Sequence, residues 1–281
     1  MYNLNIGYFS NLNLFKFSNI DSKVNSIVLK SKSLNLGVLV CAGGISNNYL
    51  ITKDFVTRLG NALKIENIIF RFIVGNTDFY YDKSESCVDK ESKFRQILRE
   101  YRNNEYYLPT HNINLKSGIR LVGLESWYDY TLYRGTGCDL KDITRKSYMH
   151  FFKNKDVVYI TNSTDYTQGM SDTFDVRYSN ECLELMSSRL HHSIASYGNA
   201  YKCVVVQYFI PVKSMLGNNS YDRYMGTFKG SLKYIEPLIT NKVTECIIGC
   251  KCKNRFVKHR NISLIGVTED IYVETIDEVN G

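Results

Sequence analysis

Cys250 and Cys252 stand two positions apart in a chain of 281 residues, and paired thiolates bind zinc well. A structural zinc site, however, normally uses C-x-x-C spacing and four ligands. No second pair at comparable spacing exists among the other six cysteines (Cys41, Cys87, Cys138, Cys182, Cys203, Cys246). Several lie inside apolar runs such as VLVCAGG and YKCVVVQYF, so they read as buried reduced thiols acting as small hydrophobes. Asp78 could serve as an acid or base, but no partner for it is evident, and capping or salt bridging is its expected role. The histidines His111, His150, His191, His192 and His259 form no motif; His191 and His192 fall on an expected helix where one faces solvent, and neither makes a catalytic base. Without a P-loop or a G-x-G-x-x-G, no nucleotide cofactor is expected. The stretch KCKNRFVKHR gathers Lys251, Lys253, Arg255, Lys258, His259 and Arg260. It reads as a solvated strand or loop face, with an anion- or partner-binding rim of Lys251, Lys253 and Arg255 as the functional alternative.

Short apolar, β-branched runs alternate with longer periodic segments, the pattern of a layered α/β protein. Strands are expected at 4–9, 37–41, 68–74, 119–124, 157–161, 203–209, 245–249, 262–266 and 271–274. Helices are expected at 53–63, 140–152, 179–195 and 231–240. In the third helix Cys182, Leu183, Leu185, Met186, Leu190 and Ile194 make an apolar face, with Ser179 or Asn180 as cap and Glu181 in the first turn. Neither a repeat nor a Pro/Gly-rich hinge interrupts the chain, so a single domain over 1–281 is expected. A hydrophobic content of 44% with 22% charged residues excludes intrinsic disorder. The first residues, MYNLNIGYFSNLNL, carry Asn where a signal peptide is apolar, and no apolar run reaches membrane-spanning length. A cytoplasmic protein with no membrane partner is the expectation, and the composition resembles that of an AT-rich genome, bacterial or phage.

Five segments each follow an expected strand: FSNLNL (Phe9 to Leu14), CAGGIS (Cys41 to Ser46), VGNTDFYY (Val74 to Tyr81), VVVQYFIP (Val204 to Pro211) and IIGCKCKNRF (Ile247 to Phe256). In order and approximate spacing they resemble the signature of the calcineurin-like metallophosphoesterases: D-x-H, G-D, G-N-H-D/E, a His shortly before a Pro, and G-H-x-H. Further likeness lies in LVGLESWYDYTL (Leu121 to Leu132), DTFDVRYSNECLELMSSRL and GTFKGSLKYIEPLI, so it spans roughly Asn5 to Phe256. The resemblance implies a four-layer α/β/β/α sandwich with the five segments converging at one end.

The frames match while the ligands do not. Asn11 and Asn13 stand where the first Asp and His would be, Gly44 where the bridging Asp would be, and Thr77 where the proton-donating His would be. Tyr208, or Gln207 in a frame shifted by one, replaces the next His, and Cys250 and Cys252 replace the last two. Asn76 and Asp78 alone are as the family has them. A two-metal hydrolase holds cations about 3.5 to 4 Å apart and needs carboxylates to offset their charge; amide oxygens are poor substitutes and Gly44 has no side chain. The resemblance therefore implies a pseudoenzyme with no catalytic residues, metal or cofactor. Its former pocket (Asn11, Asn13, Gly44, Asn76, Thr77, Asp78, Tyr208, Cys250, Cys252) would bind a protein partner, either a peptide or an intact relative. A hydrolase with a remodelled site is the enzymatic alternative. The net charge of +7 permits nucleic acid or an acidic protein as partner, but no RNP motif, zinc finger or helix-turn-helix makes nucleic acid specific.

Overall fold

A computed structural model describes residues 3–14, 20–81, 90–116, 118–129, 131–132, 172–195, 202–217 and 229–277. The expected strand at 157–161 and helix at 140–152 lie outside these residues, as do Cys87, Cys138 and His150. The architecture is the four-layer α/β/β/α sandwich. Its first sheet has the order β10-β1-β2-β3, with β1 (Asn3–Phe9), β2 (Leu36–Ala42) and β3 (Ile69–Ile73) parallel and β10 (Tyr272–Asp277) antiparallel at the edge. The second has the order β4-β5-β6-β7-β9-β8. Here β5 (Ile119–Gly123), β6 (Lys202–Gln207), β7 (Glu245–Ile248) and β9 (Ile262–Gly266) run parallel, between antiparallel edges β4 (Ile113–Asn114) and β8 (Phe256–His259).

Parallel strands in a layered sandwich are covered on both faces, so they read as continuous apolar runs. Val38, Leu39, Val40, Cys41 and Ala42 are all buried, as are Cys203 through Val206. Helices supply the outer layers through periodic faces. In α1 (Ile20–Ser33) these are Ile20, Val24, Ile27 and Ser31, and in α2 (Tyr49–Ile65) they include Phe55, Val56, Leu59 and Leu63. The Asn48 side chain caps α2 by accepting from the Leu50 amide, 2.9 Å. In α3 (Lys90–Arg102), Phe94, Ile97, Leu98 and Tyr101 are buried; α4 (Asp172–Ala195) buries Tyr178, Cys182, Met186 and Leu190. Phe94 ties both helices to the core, with ring centroids 4.3 Å from Phe79, 5.4 Å from Trp127 and 4.9 Å from Tyr178. A 3₁₀ turn at Leu232–Tyr234 leads into α5 (Ile235–Thr240).

One expectation about α4 is overturned. The helix starts at Asp172, so neither Ser179 nor Asn180 caps it. Ser179 lies within the helix on its buried face, its hydroxyl 2.9 Å from that of Tyr234. His191 and His192 are both exposed. No helix among the described residues is long and apolar enough to cross a membrane.

Candidate functional site

Because β1, β2, β3, β6 and β7 are parallel within their sheets, the segments leaving their carboxyl ends gather along one edge, the position where open α/β sheets place sites. The two sheets join there. Gly249, just past β7, comes so close to the end of β2 that a Cβ on it would lie 1.6 Å from the Ala42 carbonyl oxygen. The buried Ser10 hydroxyl donates to the carbonyls of Gly249 (2.8 Å) and Val267 (2.9 Å), pinning the end of β1 to the second sheet.

Asn11 and Asn13 have φ of 56° and 50°, a left-handed conformation that Asn tolerates better than most residues. The Asn11 amide nitrogen donates to the Gly249 carbonyl at 2.6 Å and to the Ser10 hydroxyl at 2.7 Å, which leaves Oδ1 facing the Tyr208 hydroxyl 3.4 Å away. Asn13 is exposed and donates to the Asn11 carbonyl, 2.9 Å. Gly44 adopts φ 69°, and a Cβ there would lie 2.7 Å from Asn11 Oδ1. Tyr208, not Gln207, faces this cluster; the Gln207 amide turns to the Phe209 carbonyl at 2.8 Å. The Tyr208 ring lies flat on two glycines: a Cβ on Gly75 would meet ring carbons at 2.6 to 2.7 Å, and one on Gly43 would meet its Cδ2 at 2.7 Å. Burial pushes the phenol well above its usual range, so it stays protonated.

Asp78 is fully buried and organises the loops beneath Tyr208. Its Oδ2 accepts from the amides of Gly44 and Gly75, both 2.8 Å. Its Oδ1 accepts from the amides of Ile45 (2.8 Å) and Ser46 (3.0 Å) and from the Thr52 hydroxyl (3.0 Å). Burial pushes the carboxyl up while these donors pull it down. Of the two expected roles, its bonds to loop amides match capping, and no ion pair to it is seen among the described residues. The Tyr101 hydroxyl donates to the Asp78 carbonyl at 2.5 Å, fixing the loop from α3. Asn76 and Thr77, both half-buried, flank Asp78, with Thr77 opening a 3₁₀ turn (Thr77–Phe79).

Cys250 joins the cluster through its backbone, donating to the Tyr208 carbonyl at 2.7 Å; its thiol is buried and pushed up to about 12 by that burial. Cys252 points elsewhere. Its sulfur occupies the space above Gly266 in β9, where a Cβ would lie 2.1 Å from it, and its thiol too is raised by burial. Lys251 and Lys253 are exposed beside these thiols, whereas Arg255 is half-buried and donates from Nε to the Gly266 carbonyl at 3.1 Å. The structure thus brings Asn11, Gly44, Asp78, Tyr208 and Cys250 together, with Asn13, Asn76 and Thr77 at the margin, and sends Cys252 into β9 packing. Ser10, Gly43, Thr52, Gly75 and Tyr101 also build the site. The glycines stood inside the recognised segments and Tyr208 was an expected pocket residue, but nothing in the sequence showed that its ring would cover Gly43 and Gly75.

Comparison with solved structures gives a similar protein in phosphopantetheinyl hydrolase from Mycobacterium tuberculosis. It has 12% identity over 95% of this chain and 89% of that one, with a TM-score of 0.65. A dimetal phosphatase from Danio rerio is similar over 98% of this chain and 99% of its own at 12% identity, with a TM-score of 0.49. No family model matches the sequence, and no curated protein matches it. The class that the architecture defines is the calcineurin-like metallophosphoesterase fold. At this identity the likeness extends to the fold alone.

The family that the sequence resembles would hold two metal ions here, and the described side chains of the strand-end cluster do not fit them. Asn11 offers only a neutral amide oxygen, already facing the Tyr208 hydroxyl, Gly44 has no side chain, both Asp78 oxygens are filled by loop donors, and the Cys250 thiol is buried. Among the described residues no three His, Cys, Asp or Glu side chains stand together in a way that could hold a metal ion.

Proposed function

We propose that this chain is a non-hydrolytic protein of the metallophosphoesterase fold, acting as a binding or regulatory subunit through its strand-end face. The carrying observation is the Tyr208 ring lying on Gly43 and Gly75 with its hydroxyl toward Asn11, because it fills the convergence of the five segments with a neutral, buried side chain. A hydrolase in this fold needs that space for cations and an activated water. The remodelled-site alternative has Asp78, Asn76, Tyr208 and the two cysteines to work with; the Asp78 oxygens are saturated and the Cys250 thiol is a poor nucleophile near neutral pH.

The partner is a protein, either a peptide or an intact relative of the same fold, drawn to the exposed cations Lys251 and Lys253 beside the cluster. Nucleic acid is the competing partner, and ionic strength separates the two, because phosphate-backbone contacts make affinity fall steeply with salt. Turnover assays test the non-hydrolytic reading. Phosphomonoesters and phosphodiesters with added manganese, nickel or zinc should be hydrolysed no faster by the wild-type protein than by a Tyr208→Ala, Asp78→Ala double variant. Metal-dependent turnover confined to the wild type would refute it.

A further inference from the structure

A cluster of ionisable groups lies away from the strand-end site, in the seam between the two sheets. Lys202 opens β6 and Glu245 opens β7, neighbours in the second sheet; Glu274 stands in β10 and Tyr8 in β1, neighbours in the first. The Lys202 ammonium donates to Glu274 Oε1 at 2.7 Å and to Glu245 Oε2 at 3.1 Å, and the Tyr8 hydroxyl donates to Glu274 Oε2 at 3.4 Å. The side chains are 12% exposed at Glu245, 16% at Glu274 and 37% at Lys202, and Tyr8 is fully buried.

Two carboxylates therefore share one ammonium in a largely dry seam, and if both are ionised one negative charge has no described cation to offset it. The other titratable groups nearby do not supply one. Tyr8 and Tyr272 stack at 6.3 Å, and burial pushes both phenols up. Cys203 and Cys246, next along β6 and β7, are likewise pushed up by burial. On the other side β9 sets Ser263 opposite Glu245, and Lys258 of β8, beyond it in register, is exposed and pairs with neither glutamate. Glu245 Oε1 is enclosed, and no described group donates to it. A proton on that oxygen removes the uncompensated charge and turns an unsatisfied acceptor into a donor for Glu274, whose carboxylate is bound to the same lysine nitrogen. Burial, and after it the Glu274 charge, pushes the Glu245 carboxyl up.

We infer that Glu245 and Glu274 bind one proton between them, and that this cluster is a pH-sensitive clasp which holds β10 against the second sheet while protonated and loosens it when the proton leaves. The clasp does not rest on the non-hydrolytic reading. The folded chain binds this proton more tightly than the unfolded chain, so the contribution is full below the ordinary glutamate value and is lost as pH rises through the raised one.

Thermal unfolding of the full-length protein and of Glu245→Gln between pH 5 and pH 9 tests the clasp, because Gln fixes the neutral form and the difference cancels every other titrating group. The variant should melt within about 1 °C of the parent at pH 5 and about 2 to 4 °C above it at pH 9. An ordinary ion pair to Lys202 requires the opposite sign at pH 9; that result, or a difference independent of pH, would overturn the clasp. Glu274→Gln removes the like charge and should flatten the pH dependence in the same way, which keeps the test decisive if Glu245→Gln fails to fold. Hydrogen exchange read by mass spectrometry, corrected for its intrinsic pH dependence, locates the effect. Peptides covering β10 should lose protection between pH 5 and pH 9 in the parent and keep it in the variant, with β2 unchanged in both. Equal loss in β2 and β10, or full β10 protection in the parent at pH 9, would refute the loosening of β10.

Discussion

Replacing Asp78 by Asn keeps its shape and removes one acceptor. The carboxylate receives five hydrogen bonds, three on Oδ1 and two on Oδ2. With the amide oxygen on the Oδ1 side, its NH₂ faces the amides of Gly44 and Gly75, so two buried backbone donors lose their partner and meet another donor. The surviving bonds lose their charge assistance. A buried donor left unsatisfied costs about 1 to 3 kcal/mol, so a loss of about 3 to 5 kcal/mol is expected, a large share of the roughly 5 to 15 kcal/mol that holds a domain folded. Urea unfolding followed by circular dichroism measures it, with the midpoint falling and the slope preserved. Asp270→Asn is the control; its exposed side chain lies 3.8 Å from Lys30, and the midpoint should not move. A loss below about 1 kcal/mol for Asp78→Asn would refute the view that this carboxylate organises the loops.

A Cβ at Gly75 meets the Tyr208 ring first, at 2.6 to 2.7 Å, whereas Gly43→Ala adds a left-handed φ of 87° and a backbone clash with Gly75 at 2.8 Å. Thermal unfolding should therefore place Gly43→Ala lower than Gly75→Ala, and both below wild type. Burial holds Cys250 protonated up to about 12 in the folded protein while the unfolded chain ionises near the ordinary thiol value. This thiol thus adds stability below that value and loses it as pH rises towards 12. Mass spectrometry after alkylation at pH 8 should find Cys250 unmodified in the folded state and labelled in urea. Lys251→Glu with Lys253→Glu should weaken partner capture and leave the melting temperature nearly unchanged; unaltered capture would return this segment to a solvated face.

The parallel strands were legible because burial on both faces leaves unbroken apolar runs, and seven of the nine expected strands fall on β1, β2, β3, β5, β6, β7 and β9, with an eighth overlapping β10. The edge strands were not. Strand β8 alternates exposed and half-buried residues, so Phe256–His259 read as part of a basic solvated stretch, and β4 has only two residues. Helices α1 and α3 carry readable periods, Ile20-Val24-Ile27 and Phe94-Ile97-Leu98-Tyr101, which the polar character of the intervening residues concealed. At the site, the segment order showed which residues would converge. What each does after convergence depends on backbone direction: Asn11 turns its amide to Gly249, Cys252 turns its sulfur over Gly266, and Arg255 reaches the Gly266 carbonyl. Spacing alone carries no information about those directions.

Elemental analysis of the purified, full-length protein after equilibration with manganese, nickel or zinc tests the central claim most directly. Two divalent ions at about 4 Å repel by roughly 17 kcal/mol at an effective dielectric of about 20, and the strand-end cluster offers no free carboxylate among the described residues to offset this. Less than one equivalent of metal per chain is predicted, unaffected by Tyr208→Phe or by Cys250→Ser. Two equivalents per chain, lost when Asn11, Asn76 or Cys250 is replaced, would contradict the account.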